Sequence, residues 1–184
     1  MKINIVGPSC VGKTTLSKIV ANRNGWQHFD LDLVYIDRDY LAETKIFRYR
    51  PKSEYSKKVA DFLGTHKNWV IEGVYLVEKI LKEADLIVFV NLPLLIPLRW
   101  QWKRYFTDAN QRSTYGLLNN IGLTKEIFGE YFKKYNPKDV DDETEFYMQK
   151  YCEVLKKYPN KLRVISKVLE LEKLRKSGVV SNLE

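Results

Sequence analysis

The sequence predicts an α/β fold in which a parallel β-sheet is covered by helices on both faces. Short β-branched runs alternate along the chain with segments of helical spacing, and this alternation is typical of such sheets. One run, DLIVFVNLP at residues 85–93, is apolar enough to be a strand buried on both faces. The 184 residues are enough for one domain with a sizeable core.

Five strands and six helices are predicted from these patterns. The strands are KINIV (2–6), WQHFDLD (26–32), WVIEG (69–73), DLIVFVNLP (85–93) and KLRVIS (161–166). The helices span residues 14–24, 51–63, 76–84, 94–106, 143–158 and 168–176. Residues 107–125 are richer in glycine and polar side chains, which favours a loop.

The composition constrains the partners and the location of the protein. The net charge of +8 attracts phosphates of any kind, but charge alone does not distinguish a nucleotide from nucleic acid, anionic lipid or a merely solubilising surface. No apolar run approaches the roughly 18 residues of a membrane span. Two cysteines and two histidines, far apart, favour neither a disulfide framework nor a structural zinc site. We therefore expect a cytoplasmic protein without membrane association.

The segment GPSCVGKTT, residues 7–15, satisfies the pattern G-x-x-x-x-G-K-[ST] between a predicted strand and a predicted helix. Its glycines let the backbone N–H groups turn inward towards phosphate oxygens, and the helix N-terminus adds a favourable dipole. Lys13 would reach the outer phosphates of a nucleoside triphosphate, and the Thr14 hydroxyl would bind Mg²⁺. The residues predicted to contact the nucleotide are Gly7, Pro8, Ser9, Cys10, Val11, Gly12, Lys13, Thr14 and Thr15.

Two acids are candidates for the metal or the acceptor. Asp32 and Glu72 each lie at the carboxyl end of a predicted strand, and in a parallel sheet those ends share the edge at which ligands bind. Either acid could hold Mg²⁺ or orient an acceptor hydroxyl. The apolar fourth strand ends in Asn91 rather than in an aspartate, which argues against a motor or transporter ATPase.

Several segments together resemble the adenylate-kinase-like P-loop small-molecule kinases and, more narrowly, the DNA topology modulation (FlaR-like) proteins. They are GPSCVGKTTL, LDLVY, WVIEGVY, ADLIVFVNLP and LRWQWKRYF. The resemblance implies a three-layer fold around a five-stranded parallel sheet in the order 2-3-1-4-5. It also implies an acceptor arm at about residues 33–66, a basic helical lid at about 99–140, and transfer of the γ-phosphoryl group of Mg-ATP to a small acceptor.

Basic residues lie in both the expected lid and the expected acceptor arm. Arg99 and Arg104 are predicted to be catalytic lid cations, and Arg112 is predicted to bind the nucleotide, because phosphoryl transfer spreads negative charge over the migrating group. Arg48 and Arg50 fall in the predicted acceptor arm, where they could bind an acceptor phosphate.

The favoured interpretation is a kinase whose acceptor is a nucleoside monophosphate, a nucleoside or another small hydroxyl compound. The alternative is a non-enzymatic, nucleotide-gated module that binds nucleic acid or regulates a partner. Trp100 and Trp102 lie among cations on one segment and could stack on bases, although core or lid packing is the commoner role for such residues. No DNA-binding motif supports the nucleic-acid alternative.

Overall fold

The computed structural model describes residues 1–37, 48–107, 114–132 and 148–178. Its centre is a five-stranded sheet in the order β2-β3-β1-β4-β5, with every neighbouring pair parallel. The fold class and the strand order predicted from the sequence are confirmed. The strands are β1 (Lys2–Val6), β2 (Gln27–Asp30), β3 (Trp69–Gly73), β4 (Leu86–Val90) and β5 (Leu162–Ile165).

Eight α-helices are present in the described ranges, together with a 3₁₀ turn at Pro159–Lys161. They are α1 (Lys13–Asn24), α2 (Leu31–Tyr35), α3 (Lys52–Thr65), α4 (Glu78–Glu83), α5 (Leu95–Thr107), α6 (Thr114–Phe132), α7 (Met148–Leu155) and α8 (Val168–Ser177). No helix in these ranges is long and apolar enough to cross a membrane.

The sheet separates two apolar cores because successive side chains of a strand point to opposite faces. In β4, Ile87 and Phe89 join the core beneath α2, α3, α4 and α7, whereas Val88 and Val90 join the core beneath α1 and α8. Burial on both faces explains why β3 and β4 read as nearly continuous apolar runs in the sequence. The polar carboxyl edge of the sheet lies between the two cores.

The loop predicted for residues 107–125 was wrong where the structure describes it: residue 107 ends α5, and helix α6 runs from Thr114 to Phe132. Residues 108–113 lie outside the described ranges. Three glycines in this helix argue against it locally, at about 1 kcal/mol each relative to alanine. Packing against α5 overrides that preference: buried Gln101 donates its side-chain amide to the Asn120 carbonyl (2.6 Å) and to the Thr124 hydroxyl (3.1 Å). Tertiary contacts, rather than propensity, hold α6.

Two other boundaries differ from the prediction. The second strand ends at Asp30 instead of running to residue 32, because the Asp30 carboxylate accepts the Leu33 N–H at 3.2 Å and caps helix α2. Asp32 consequently lies in the first turn of a short helix rather than at a strand end. The helix predicted at 143–158 is observed from Met148 and ends at Leu155; residues 143–147 lie outside the described ranges.

Candidate functional site

The glycine-rich loop between β1 and α1 has positive φ angles at three positions, and two of these are glycines. Gly7 has φ of 150°, and a Cβ there would lie 2.4 Å from the Val90 carbonyl oxygen. Gly12 has φ of 84°, and α1 begins at the next residue. Cys10, with φ of 60°, is the single non-glycine residue with positive φ in the described chain. The loop therefore curls over the carboxyl end of the sheet, with the N-terminus of α1 at its base.

Lys13 lies at the centre of this edge. Its side chain is almost fully buried, and Nζ donates a 2.9 Å hydrogen bond to the Pro8 carbonyl of the same loop. The Lys13 charge acts on Asp32, Glu72 and Glu130, lowering the pKa of each carboxyl against the effect of burial. One ammonium group thus acts on three carboxyls from different parts of the chain, of which Glu72 and Glu130 are buried and Asp32 is half-buried.

Asp32 is fixed against the end of β3. Its Oδ1 accepts the Val74 N–H at 3.0 Å. The close approach requires Gly73, because a Cβ there would lie 3.0 Å from Oδ1 and 2.8 Å from the Leu31 Cβ. Burial raises the pKa of Asp32, and the Lys13 charge and the Val74 N–H oppose that shift. Asp32 therefore lies within the electrostatic influence of Lys13 and is presented by a helix rather than by a strand; its role in the site stays a prediction.

Glu72 is the most unusual acid in the site. It is fully buried in β3, and neither carboxylate oxygen has a hydrogen-bond partner in the described part of the chain. Burial raises its pKa to about 7, while the Lys13 charge and the nearby Thr14 hydroxyl act in the opposite direction. A buried carboxylate without a partner is costly, and a bound cation is one way to compensate it.

Thr14, Asp32 and Glu72 were predicted to bind Mg²⁺, and their chemistry fits that ion. Mg²⁺ prefers oxygen ligands and is commonly held by one or two carboxylates together with substrate phosphates. Glu72 and Asp32 supply the carboxylates, and the exposed Thr14 supplies a hydroxyl close to Glu72. In the ranges that the structure describes, no group of three or more histidine, cysteine or acidic side chains forms a dedicated metal cage. Two carboxylates and one hydroxyl leave ligand positions of the ion open to other oxygen donors.

The opposite side of the loop contacts a residue that the sequence did not identify. Glu130, near the end of α6, accepts the Ser9 N–H at 2.9 Å and the Ser9 hydroxyl at 2.7 Å. The adjacent Tyr131 hydroxyl donates to the Leu92 carbonyl at 2.6 Å and fixes this end of α6. A single glutamate in a segment predicted to be partly loop offers no local signal of this role.

Arg175 of α8 braces the loop at Gly12. Its guanidinium donates to the Gly12 carbonyl at 3.2 Å, and a Cβ on Gly12 would lie 1.9 Å from Nη2. The same guanidinium pairs with Glu172 and lies 5.4 Å from the Trp100 ring centroid. Trp100 is thus half-buried against α8 in this structure, which agrees with packing rather than base stacking.

Tyr151 of α7 connects the loop to the residue that follows β3. The side chain is buried, and its hydroxyl lies between the carbonyl oxygens of Gly7 and Val74, within hydrogen-bond distance of both. The surrounding acids Glu130 and Asp32 add to burial in raising the pKa of this phenol well above its ordinary value. Tyr151 is therefore a neutral donor that connects α7 to the site, and no pattern in the sequence singles it out.

The predicted lid cations differ in position. Arg104 is exposed, but its charge lowers the pKa of the Cys10 thiol against the effect of burial, which places it near the loop. Arg99 and Lys103 are exposed as well, and within the described residues no hydrogen bond or ion pair joins either to the loop. Arg112 lies outside the described residues. The structure thus brings one of these cations, Arg104, close to the loop.

The predicted acceptor arm carries cations that are already paired with acids. Arg48 forms an ion pair with Asp37. Arg50 lies 4.0 Å from Asp37 and 3.8 Å from Glu54. Asp37, which the sequence left as a loop acid, is buried between the two arginines. The positive charge of the arm is therefore partly neutralised within the arm itself.

Solved structures that are similar to this chain show which fold it has. No family model and no curated protein matches the sequence. The structure is similar to a gluconokinase from Sinorhizobium meliloti 1021, with a TM-score of 0.53, 9% identity, and coverage of 98% of this chain and 90% of that one. It is also similar to a shikimate kinase from Bacteroides thetaiotaomicron, with a TM-score of 0.52, 14% identity, and coverage of 96% and 95%.

At these identities the similarity concerns the fold alone, and it extends over nearly the whole of each chain. The narrower resemblance to DNA topology modulation proteins stays a prediction. The five-stranded parallel sheet, its strand order and the helices on both faces are those of the P-loop kinase fold.

Proposed function

We propose that this protein is a kinase that transfers the γ-phosphoryl group of Mg-ATP to a small acceptor molecule. One observation carries the proposal: Lys13, Asp32 and the unpartnered Glu72 converge at the glycine-rich loop on the carboxyl edge of the sheet. Phosphoryl transfer needs this combination of a phosphate cradle, a cation and buried carboxylates. The fold that the chain shares with a gluconokinase and a shikimate kinase supports the same reaction class.

The loop would bind the triphosphate through its backbone N–H groups and the N-terminus of α1. Lys13 now donates to a neutral carbonyl, that of Pro8. A phosphate oxygen is a stronger partner, because hydrogen bonds between charged groups are stronger than those to neutral acceptors. Lys13 would therefore exchange Pro8 for the outer phosphates.

Thr14, Glu72 and Asp32 are the residues that would hold Mg²⁺, and the bound ion would neutralise charge on the phosphates during transfer. Asp32 is also the best candidate to orient the acceptor hydroxyl. Its Oδ1 is fixed by the Val74 N–H, so the carboxylate has a defined direction before any ligand binds. Holding a reactant in position in this way contributes much of the rate in phosphoryl transfer.

Arg104 would stabilise the charge that spreads over the migrating group, and its position near Cys10 supports that role. Arg99 and Arg112 are proposed to join it when the lid closes over ATP. Closure would also exclude water and so favour transfer to the acceptor over hydrolysis.

The acceptor is proposed to be a nucleoside monophosphate, a nucleoside or another small hydroxyl compound. Asp37 offsets part of the charge of Arg48 and Arg50, so acceptors with and without a phosphate both need to be tested. Gluconate and shikimate belong in the set as well, since enzymes named for them share this fold.

The test is phosphoryl transfer from Mg-ATP to this panel of acceptors, measured for the wild type, Lys13→Ala and Lys18→Ala. Lys18 is an exposed lysine on the same helix and serves as the matched control. We expect turnover of one acceptor that is lost in Lys13→Ala and retained in Lys18→Ala. Near wild-type turnover in Lys13→Ala would contradict the mechanism. ATP binding without turnover of any acceptor would favour a nucleotide-gated binding module instead.

A further inference from the structure

The contact between α6 and the glycine-rich loop places an internal anion where a phosphate is expected. Both carboxylate oxygens of Glu130 are engaged by Ser9: one accepts its N–H at 2.9 Å and the other its hydroxyl at 2.7 Å. Backbone N–H groups and hydroxyls of such a loop are the donors that bind phosphate oxygens. Glu130 therefore uses at least one donor that the loop would otherwise offer to a nucleotide.

Burial and charge indicate that this contact is specific. Glu130 is only 6% exposed, and burial raises the pKa of its carboxyl, whereas the two Ser9 donors and the Lys13 charge act against that shift. Lys13 is also the residue proposed to hold the outer phosphates. The carboxylate and the outer phosphates of ATP would thus be stabilised by the same group.

Helix α6 buries few apolar side chains. Besides the contact of Glu130 with Ser9, it is attached by hydrogen bonds to Gln101 of α5 and to the Leu92 carbonyl. Among its described side chains, only Asn120, Ile127 and Glu130 are buried, while Leu118 and Phe132 are 63% and 69% exposed. An element with few buried apolar contacts separates from the body of a protein at low cost. Glu130 is therefore a principal attachment of this helix to the loop.

We propose that Glu130 is an internal competitor of the nucleotide, which ATP must displace from Ser9, together with α6, in order to bind. The inference rests on the proposed ATP site. In the closed arrangement, Glu130 is bonded to Ser9 and occupies a donor that ATP would use. In the open arrangement, Glu130 has moved away and this donor is available to ATP. The apparent affinity for ATP is then reduced by the fraction of molecules that are closed.

The experiment is isothermal titration of Mg-ATP, ADP and AMP into the wild type, Glu130→Gln, Glu130→Ala and Glu126→Gln. Glutamine keeps the shape and loses the charge, whereas alanine removes the contact. Glu126 lies one turn earlier on the exposed surface of α6 and, in the described part of the chain, makes no hydrogen bond. It matches Glu130 in charge and helix but not in contact with Ser9.

We expect ATP to bind about tenfold more tightly to Glu130→Ala than to the wild type, with Glu130→Gln in between, because removal of the competitor makes every molecule competent. The gain should be larger for ATP than for ADP and absent for AMP, since Glu130 is stabilised by the charge of Lys13, which is proposed to hold the outer phosphates. Glu126→Gln should bind like the wild type.

Unchanged or weaker ATP binding in both Glu130 variants would overturn the inference alone, provided that the wild type binds ATP. An equal gain in Glu126→Gln would overturn it too, because the effect would then be one of general charge. If no form binds ATP, the proposed function fails together with the inference. Thermal unfolding of each variant shows whether it is folded. If Glu130→Ala is not folded, the ATP affinity of Glu130→Gln tests the inference.

Discussion

The glycine-rich loop has two sides, and they are built differently. On the sheet side, Lys13 acts on Asp32, in the first turn of the helix that follows β2, and on Glu72, near the carboxyl end of β3. On the helix side, Ser9 is bonded to Glu130 of α6, and Gly12 is bonded to Arg175 of α8. Among the described residues, neither carboxylate oxygen of Glu72 on the sheet side has a hydrogen-bond partner, whereas both carboxylate oxygens of Glu130 on the helix side are bonded to Ser9.

This difference separates the residues expected to act on a bound ligand from those expected to restrain the loop. Groups that are buried and incompletely paired are poised to gain partners from a ligand. Groups that already make hydrogen bonds to the loop instead fix its shape or compete for its donors. We therefore expect substitutions on the sheet side to affect catalysis and pH dependence most, and substitutions at Arg175 to affect stability modestly.

The largest effect is expected for Asp32→Asn. The asparagine oxygen can still accept the Val74 N–H, so the fold should be kept, while the loss of the charge should lower kcat for phosphoryl transfer by about 10²–10⁴-fold. Steady-state kinetics with Mg-ATP measure this. Asp61→Asn, at an exposed position of α3, is the control and should stay near the wild-type rate. A rate for Asp32→Asn within a few-fold of that control would contradict the catalytic role of the sheet side.

The next effect concerns Glu72 and pH. Its pKa is about 7 in the folded chain against an ordinary value of 4.5, so the folded state binds more protons than the unfolded state between those values. The free energy of unfolding should therefore fall as pH rises from about 4.5 to about 7, by up to about 3 kcal/mol.

Glu72→Gln should lack this loss. It should match the wild type near pH 4.5 and exceed it in stability by up to about 3 kcal/mol at pH 8. Urea unfolding at a series of pH values, with EDTA and without nucleotide, measures the difference. If the free energy of unfolding depends on pH in the same way in both proteins, the charge of Glu72 is stabilised in the folded state. The sheet side and the helix side would then no longer differ in this respect.

Gly73→Ala tests the close packing beneath Asp32. The new Cβ would lie 2.8 Å from the Leu31 Cβ and 3.0 Å from the Asp32 Oδ1, and such crowding typically costs about 1–3 kcal/mol. Chemical denaturation measures the loss. Gly64→Ala is the matched control: it lies in α3 with open space around its Cβ position, so it should stabilise the protein by up to about 1 kcal/mol. Equal effects at the two glycines would refute the packing argument.

The smallest effect is expected on the helix side, for Arg175→Met. The substitution removes the bond to the Gly12 carbonyl and the contact with Trp100, which together are worth about 1–2 kcal/mol. Arg163→Met removes a more exposed ion pair with Glu170 and should change stability by less than about 1 kcal/mol. A larger loss for Arg175→Met than for Gly73→Ala would reverse the proposed order of the two sides.

The sequence was sufficient to predict the sheet and to select the residues of the sheet side as candidates, because the relevant signals are local; the roles of those residues stay predictions. Alternating apolar runs predicted the strands, and a motif within nine residues predicted the positions of Lys13 and Thr14. Asp32 and Glu72 follow or end strands whose carboxyl ends must share one edge. The end of β2 was misplaced even though a signal existed, since Asp30 precedes a short apolar segment as a helix cap does.

The helix side could not be predicted because its contacts are distant in sequence. Ser9 and Glu130 are 121 positions apart, and Gly12 and Arg175 are 163 apart. Three glycines concealed α6, which exists because buried Gln101 bonds to it from α5. No periodicity or motif connects residues so far apart; only the packed structure brings them together.

The central position of β1 has a consequence for how the chain is made. This strand is synthesised before the other four strands of the sheet, yet both of its neighbours, β3 and β4, follow much later in the sequence. Asn4 of β1 bonds to a carbonyl 67 residues away, and Lys2 bonds to a carboxylate 83 residues away. During synthesis the apolar β1 therefore waits without its partners, and Gly7 cannot pack against Val90 until β4 has emerged. Such long-range pairing is slow and leaves apolar segments exposed to aggregation, so β1 stays exposed to that hazard until β4, which ends at Val90, has been made.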